Sequence, residues 1–135
     1  MLRRDNNIVI KYNKKTVIGL TEPVIVVGPK GDKKEVIARI DTGATKSSID
    51  VKLAADLSLG PITKAKLIRS ASGAGLRAVV DAKILLADKE LKTEFTLADR
   101  SHMKFPVLIG QNILKDGFLI DPSKEAEGFY AEDED

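Results

Sequence analysis

The feature that most restricts the fold of this chain is the rhythm of its apolar residues. They fall in short runs rich in β-branched side chains, at 7–11, 16–20, 23–27, 35–40, 64–70, 76–86, 91–98, 107–109 and 118–120, separated by Gly, Pro, Asn and Asp. Runs of that kind, recurring every 8–12 residues or so, read as strands, because Val, Ile and Thr suit a pleated surface and are stiff at χ1. Hairpin chemistry stands between them at Gly28-Pro29-Lys30-Gly31-Asp32, Ala71-Ser72-Gly73-Ala74-Gly75 and Ala87-Asp88-Lys89-Glu90. Two segments break the rhythm. Residues 48–57 carry Ile49, Leu53, Ala54 and Leu57 at helical spacing and stop at Gly60-Pro61, and residues 111–116 follow Gly110 and end at Gly117. The expected fold class is all-β, mainly strands with one or two short helices, in a sandwich or barrel. With 135 residues the chain fills one domain and one core.

Composition then removes most chemistries. There is no cysteine, so disulfides, thiolate nucleophiles, Cys-based zinc sites and iron–sulfur clusters are out of reach. A single histidine, His102, cannot form a His-pair metal site, and it reads as a partly exposed loop residue. Gly28-Pro29-Lys30-Gly31 lacks the spacing of a phosphate-binding loop, so no metal and no cofactor is expected. The 22 Lys and Arg against 20 Asp and Glu leave a net charge of +2, too little to imply a nucleic-acid partner. No run approaches the roughly 18 apolar residues of a membrane span, and the first residues lead into no signal-peptide core. The expected location is the cytoplasm. Carboxylates, hydroxyls and backbone remain for chemistry.

The two ends differ in sign. Residues 1–15 hold Arg3, Arg4, Lys11, Lys14 and Lys15 against one Asp, whereas residues 125–135 hold six carboxylates and no base. They read as a basic N-terminal segment (1–15) and an acidic, flexible tail (124–135) around a domain spanning 16–123.

The segment richest in chemical content is Val36-Ile37-Ala38-Arg39-Ile40-Asp41-Thr42-Gly43-Ala44-Thr45-Lys46-Ser47. An apolar strand delivers Asp41 to its end, and Thr42-Gly43 forms a tight turn in which Gly43 permits close backbone approach. The Gly43 and Ala44 amides and the Thr42 and Ser47 hydroxyls are the donors within reach of an ionised Asp41. Three letters alone are explained as well by ordinary turn chemistry.

The flanking sequence resembles aspartic proteases of the retropepsin type. Their pattern is an apolar strand, then Asp-Thr-Gly-Ala with Ser or Thr six positions after the Asp, as in Ile40-Asp41-Thr42-Gly43-Ala44 and Ser47. A second element of the pattern, near the C-terminus, is matched by Val107-Leu108-Ile109-Gly110-Gln111-Asn112-Ile113-Leu114. A narrower resemblance runs through Leu97-Ala98-Asp99-Arg100-Ser101-His102-Met103-Lys104-Phe105-Pro106 and Gly117-Phe118-Leu119-Ile120-Asp121-Pro122. It points to the retropepsin-like family known as ATP-dependent zinc proteases, which is associated with ATP-grasp ligases that add glutamate to ribosomal and other substrates. The zinc in that name finds no ligand set here, and ATP dependence would have to come from such a ligase as partner.

The resemblance implies a retropepsin-like closed barrel, with Asp41, Thr42 and Gly43 catalytic. It also implies a Gly-rich hairpin flap, for which 69–76 is the candidate, so that Ala44, Ser72, Gly73, Ala74 and Gly75 are the expected substrate-binding residues. Hydrolysis by carboxylates needs two of them sharing a proton. One Asp-Thr-Gly per chain therefore calls for a homodimer with the two Asp41 residues at the twofold axis, acting on a peptide or protein substrate. Thr42 would then cross-bond the two loops. Two other readings stand beside this one: a non-catalytic peptide- or partner-binding module, and a hydrolase of side-chain amides or glutamate tails. Near the second motif, Asp99 and Arg100 read as a surface ion pair, Asn112 as a residue that caps or orients the short helix, and Asp121 as a turn starter.

Overall fold

The computed structural model describes residues 9–70 and 73–126, and of Ser70 the backbone alone. Ten strands and two short helices follow one another along the chain. β1 (Ile10–Tyr12), β2 (Lys15–Ile18), β3 (Thr21–Val27), β4 (Lys33–Ile40) and β5 (Ser47–Asp50) precede α1 (Val51–Asp56). Then come β6 (Lys64–Ser70), β7 (Gly73–Leu86), β8 (Lys89–Ala98), β9 (Val107–Ile109), α2 (Gln111–Leu114) and β10 (Phe118–Ile120).

Six of these strands close a barrel in the ring order β3, β4, β9, β5, β8, β7, and β7 returns to pair with β3 through Val24↔Leu86 to Val27↔Lys83. Closure leaves the ring without a free edge. Its interior is filled by the inward residues of each strand: Val24 and Val26, Ala38 and Ile40, Ile49, Ile84 and Leu86, Phe95, Val107 and Ile109 are all buried. Helices α1 and α2 add Leu53, Ala54, Ile113 and Leu114 to the same cluster. In β3 the burial alternates strictly from Val24 to Val27, as a strand with one face on a core requires.

β7 is longer than the barrel is tall. Its C-terminal half belongs to the ring, while its N-terminal half, Gly73 to Ala78, pairs only with β6 in a hairpin arm that projects from the barrel, and Val79 pairs with both β6 and β8. A second sheet, β1-β2-β10, sits beside the barrel; β2 and β10 run parallel, from Phe118↔Thr16 to Ile120↔Ile18. The segment read as a basic N-terminal piece thus contributes β1. Of the segment read as the acidic tail, Lys124 accepts from the Leu20 amide and Ala126 is buried. Among the described residues no helix is long and apolar enough to cross a membrane.

The expectation for 48–57 needs correction at its start. Ser47–Asp50 is extended, held between β8 (Ser47↔Phe95 to Asp50↔Ala98) and β9 (Ser48↔Leu108, Ile49↔Val107), and the helix begins only at Val51. Asp50 draws the boundary: its carboxylate accepts from the Lys52 amide as an N-cap and from the Arg100 amide on the far side. The second helix is likewise shorter than 111–116 and ends at Leu114; Gly117, at φ +91°, turns the chain into β10 in a conformation that favours glycine.

Candidate functional site

Asp41 is the first residue beyond β4. The strand pairs parallel with β9, and the ladder runs on past its end, since the Asp41 amide donates to the Ile109 carbonyl at 2.9 Å. The half-buried carboxylate accepts from the Gly43 amide at 2.9 Å through Oδ1. The Ala44 amide donates to the main-chain carbonyl of Asp41, at 3.3 Å, rather than to its carboxylate. Thr42 and Gly43 are exposed at the tip of the turn.

The second motif clamps this loop from behind. The Gln111 amide donates to the Ala44 carbonyl at 2.8 Å, and Gln111 Nε2 to the Thr42 carbonyl at 2.7 Å. Gly110 packs so closely that a Cβ there would overlap the Lys46 carbonyl oxygen and lie 2.8 Å from that of Ala44. The Ser47 hydroxyl, expected to help orient Asp41, turns the other way: it accepts from the Gly110 amide at 2.9 Å and donates to Asn112 Oδ1 at 2.7 Å. Asn112 in turn donates to the Glu94 carbonyl. Ser47 is fully buried, so these bonds lie in a low-dielectric setting where leaving one unmade is costly. The carboxylate is therefore carried on a rigid frame of backbone and buried hydroxyl.

Arg100 also departs from expectation. It is not paired with Asp99, which instead accepts from Ser101. It is buried, with Nε donating to the Phe105 carbonyl at 2.9 Å and Nη1 to Ser48 Oγ at 3.3 Å. Burial pulls its pKa below the ordinary guanidinium value and Arg77 pulls the same way, while the charges of Asp50 and Asp41 oppose the shift. The group stays charged, as arginine does in proteins, and it feels both the candidate catalytic carboxylate and a basic residue of the hairpin arm.

A groove of about 640 Å³ runs between the Asp41 loop and the arm. Gly43, Ala44 and Lys46 line one side, Leu67, Ile68, Arg69 and Arg77 the other, and Ser48, Thr96 and Arg100 are part of the lining. The residues brought to it from the sequence reading are Gly43 and Ala44. Gly73, Ala74 and Gly75 lie at the outer end of the arm, exposed, and Gly73 takes φ +127°; Ser72 falls outside the described residues. His102 is exposed on the loop before β9, and among the described residues no cluster of potential metal ligands occurs. What the sequence does not reveal is that Lys46, Arg69, which opens the flap candidate, Arg77 and Arg100, expected on the surface, share one lining, since no common spacing links them.

The stretch 54–127 matches the family model described as retropepsin-like aspartic endopeptidase RimB. The chain belongs to the RimB-like family. The match spans the arm, the second motif and β10 and begins after the Asp41 loop. Solved structures support the fold of this RimB-like chain. A Legionella pneumophila protein of unknown function aligns at TM-score 0.59 and 20% identity, over 82% of this chain and 96% of that one. The EIAV protease in complex with the inhibitor HBY-793 aligns at TM-score 0.59 and 21% identity, over 79% and 93%. No curated protein matches the sequence significantly. A closed retropepsin-like barrel is thus both the expected and the observed architecture of this family member.

The base of the arm is fastened by one carboxylate. Glu94 on β8 reaches across β7 to Lys64 Nζ at 2.5 Å and Lys66 Nζ at 2.9 Å on β6. The hydrogen bonds from Lys64 and then Lys66 hold its pKa below the ordinary 4.5. A carboxylate with a lowered folded-state pKa contributes stability that is fully present above its unfolded value and fades as pH falls through the folded one. Glu94→Gln is therefore expected to speed amide hydrogen exchange in β6 at neutral pH and to abolish its change below about pH 4.5. Because the three side chains are partly exposed, global stability should fall by only about 1 kcal/mol or less. Unchanged exchange in Lys64–Ser70 would show that the ion pairs do not hold the arm.

Proposed function

We propose that the chain is a cytoplasmic aspartic endopeptidase that works as a homodimer, each subunit giving one Asp41 to a shared site. The observation that carries this reading is the placement of Asp41 on a backbone-clamped turn beside a groove roofed by a hairpin arm. With two carboxylates in contact, one proton is shared between them. The ionised member takes a proton from the bound water as its oxygen attacks the scissile carbonyl, and the protonated member gives its proton to the carbonyl oxygen. Collapse of the tetrahedral intermediate then returns a proton to the leaving amine. Thr42 and Gly43 hold the carboxylate in place. Ala44, Ser72, Gly73, Ala74 and Gly75 grip an extended substrate through backbone, where small side chains permit close approach.

A second reading, hydrolysis of glutamate tails or side-chain amides by the same dyad, is favoured by the basic lining of the groove: Lys46, Arg69, Arg77 and Arg100, with no carboxylate among the lining residues. An ATP-grasp ligase that builds glutamate chains is the partner whose product such a groove would take apart. The test presents the purified protein with an oligoglutamate peptide and a neutral peptide of equal length between about pH 3 and 8, with and without a pepstatin-type transition-state mimic. Cleavage that the mimic blocks supports the peptidase, and preference for the acidic peptide supports the second reading. A protein that binds either peptide and cleaves neither is a binding module.

A further inference from the structure

The groove is lined by four cationic side chains and no carboxylate, with the charges of Asp50 and Asp41 acting on Arg100. Among the described residues no carboxylate forms an ion pair with Lys46, Arg69 or Arg77. The guanidinium of Arg100 donates to a neutral carbonyl and a neutral hydroxyl. The complementary charge lies in the same chain. Residues 127–135, Glu127-Gly128-Phe129-Tyr130-Ala131-Glu132-Asp133-Glu134-Asp135, carry five carboxylates and no base.

The fold also fixes where that segment leaves the body. Ala126 is 1% exposed, its amide donates to Thr21 Oγ1 at 2.7 Å, and it packs with Ile37 and Phe105. Phe105 is the residue whose carbonyl holds Arg100 Nε. Ala126 thus packs against the residue whose carbonyl holds Arg100, a guanidinium that lines the groove. Nine residues span up to about 30 Å when extended. Attachment at that range keeps the local concentration of the segment near the millimolar level, so that even weak charge pairing fills the groove.

We infer that residues 127–135 of this chain dock in its own basic groove, through carboxylate contacts to Arg100, Arg77, Arg69 and Lys46, and compete there with acidic substrate. The competition rests on the reading of the groove as the substrate site; the docking does not.

The absence of native cysteine makes the test direct, because Ala131→Cys accepts a nitroxide at one position only. In the full chain at low salt, the spin label should broaden the backbone amide signals of Ser48, Arg77, Thr96 and Leu108. The broadening should fade at 1 M salt, where the Debye length drops to about 3 Å. It should vanish when Glu132→Gln, Asp133→Asn, Glu134→Gln and Asp135→Asn are combined with the label. Broadening that survives neutralisation, or that falls on the β1-β2-β10 sheet instead, overturns the proposal. A mixture of spin-labelled chain with isotope-labelled chain separates the two copies: broadening in the mixture as strong as within one chain means a partner's segment is the occupant, which also overturns it. Activity is not the readout, so the two ideas fail separately. A docked segment on a protein that cleaves nothing sinks the peptidase reading alone, and a free segment on an active peptidase sinks this one alone.

Discussion

Replacing Asp41 with Asn is expected to lower kcat/KM for a cleaved peptide by about 10⁴-fold, the upper range for loss of a general acid–base group, with the fold intact. Asn keeps the size of the side chain and an oxygen to accept the Gly43 amide, and the residue lies outside the barrel core. Thermal stability should therefore move by no more than about 0.5 kcal/mol. The proposed dimer adds a sharper readout. If wild-type and variant chains are unfolded together in equal amounts and refolded, about one quarter of random pairs retain both carboxylates. Activity should then fall to about a quarter rather than a half, since a dimer with one carboxylate lacks the pair. Activity that tracks the wild-type fraction linearly would mean that each subunit works alone, and full activity of the variant would remove Asp41 from the chemistry.

That expectation leans on residues readable in the sequence, and the legible parts share a physical character. The strand runs carry their own signal because β-branching and burial act locally, so nine of the ten strands overlap an apolar run of the sequence. β5 does not: Ser47-Ser48-Ile49-Asp50 has one apolar side chain, and it is extended only because β8 and β9, distant in the chain, flank it. Ser47 shows the same limit within the site. Its position six residues after Asp41 is visible, but the direction of its hydroxyl depends on Gly110 and Asn112, more than 60 residues away. Arg100 looked like half of a surface pair because Asp99 adjoins it, whereas only Arg100 turns inward, to Ser48 and the Phe105 carbonyl. The basic groove was invisible for the same reason, being assembled by closure of the ring and not by spacing.

Gly110→Ala should be strongly damaging for a change of a single methyl group. Gly110 lies outside the left-handed region, so conformational freedom is not the reason for glycine here. The reason is space: the added carbon would overlap the Lys46 carbonyl and crowd that of Ala44, and both are backbone atoms that cannot rotate away. Relief requires the loop 41–47 to separate from the β9–α2 junction. That movement strains the bond from the buried Gly110 amide to Ser47 Oγ and the Gln111 contacts to Ala44 and Thr42. Overpacking of this kind costs about 1–3 kcal/mol, and one buried hydrogen bond left unmade adds about 1–3 kcal/mol more. The thermal midpoint should drop by roughly 8 °C or more, taking about 4 °C per kcal/mol for a chain between the 100- and 150-residue ranges. Whatever folded protein remains should hold Asp41 out of register in the proposed dyad and lose most of the proposed peptidase activity, because a displacement of even 1 Å at a catalytic group costs about 100-fold. The contrast with Asp41→Asn is diagnostic: that variant should lose catalysis and keep its melting curve, whereas Gly110→Ala should lose both. A Gly110→Ala protein with the wild-type melting temperature would mean that the two motifs are not packed as tightly against each other as these distances require.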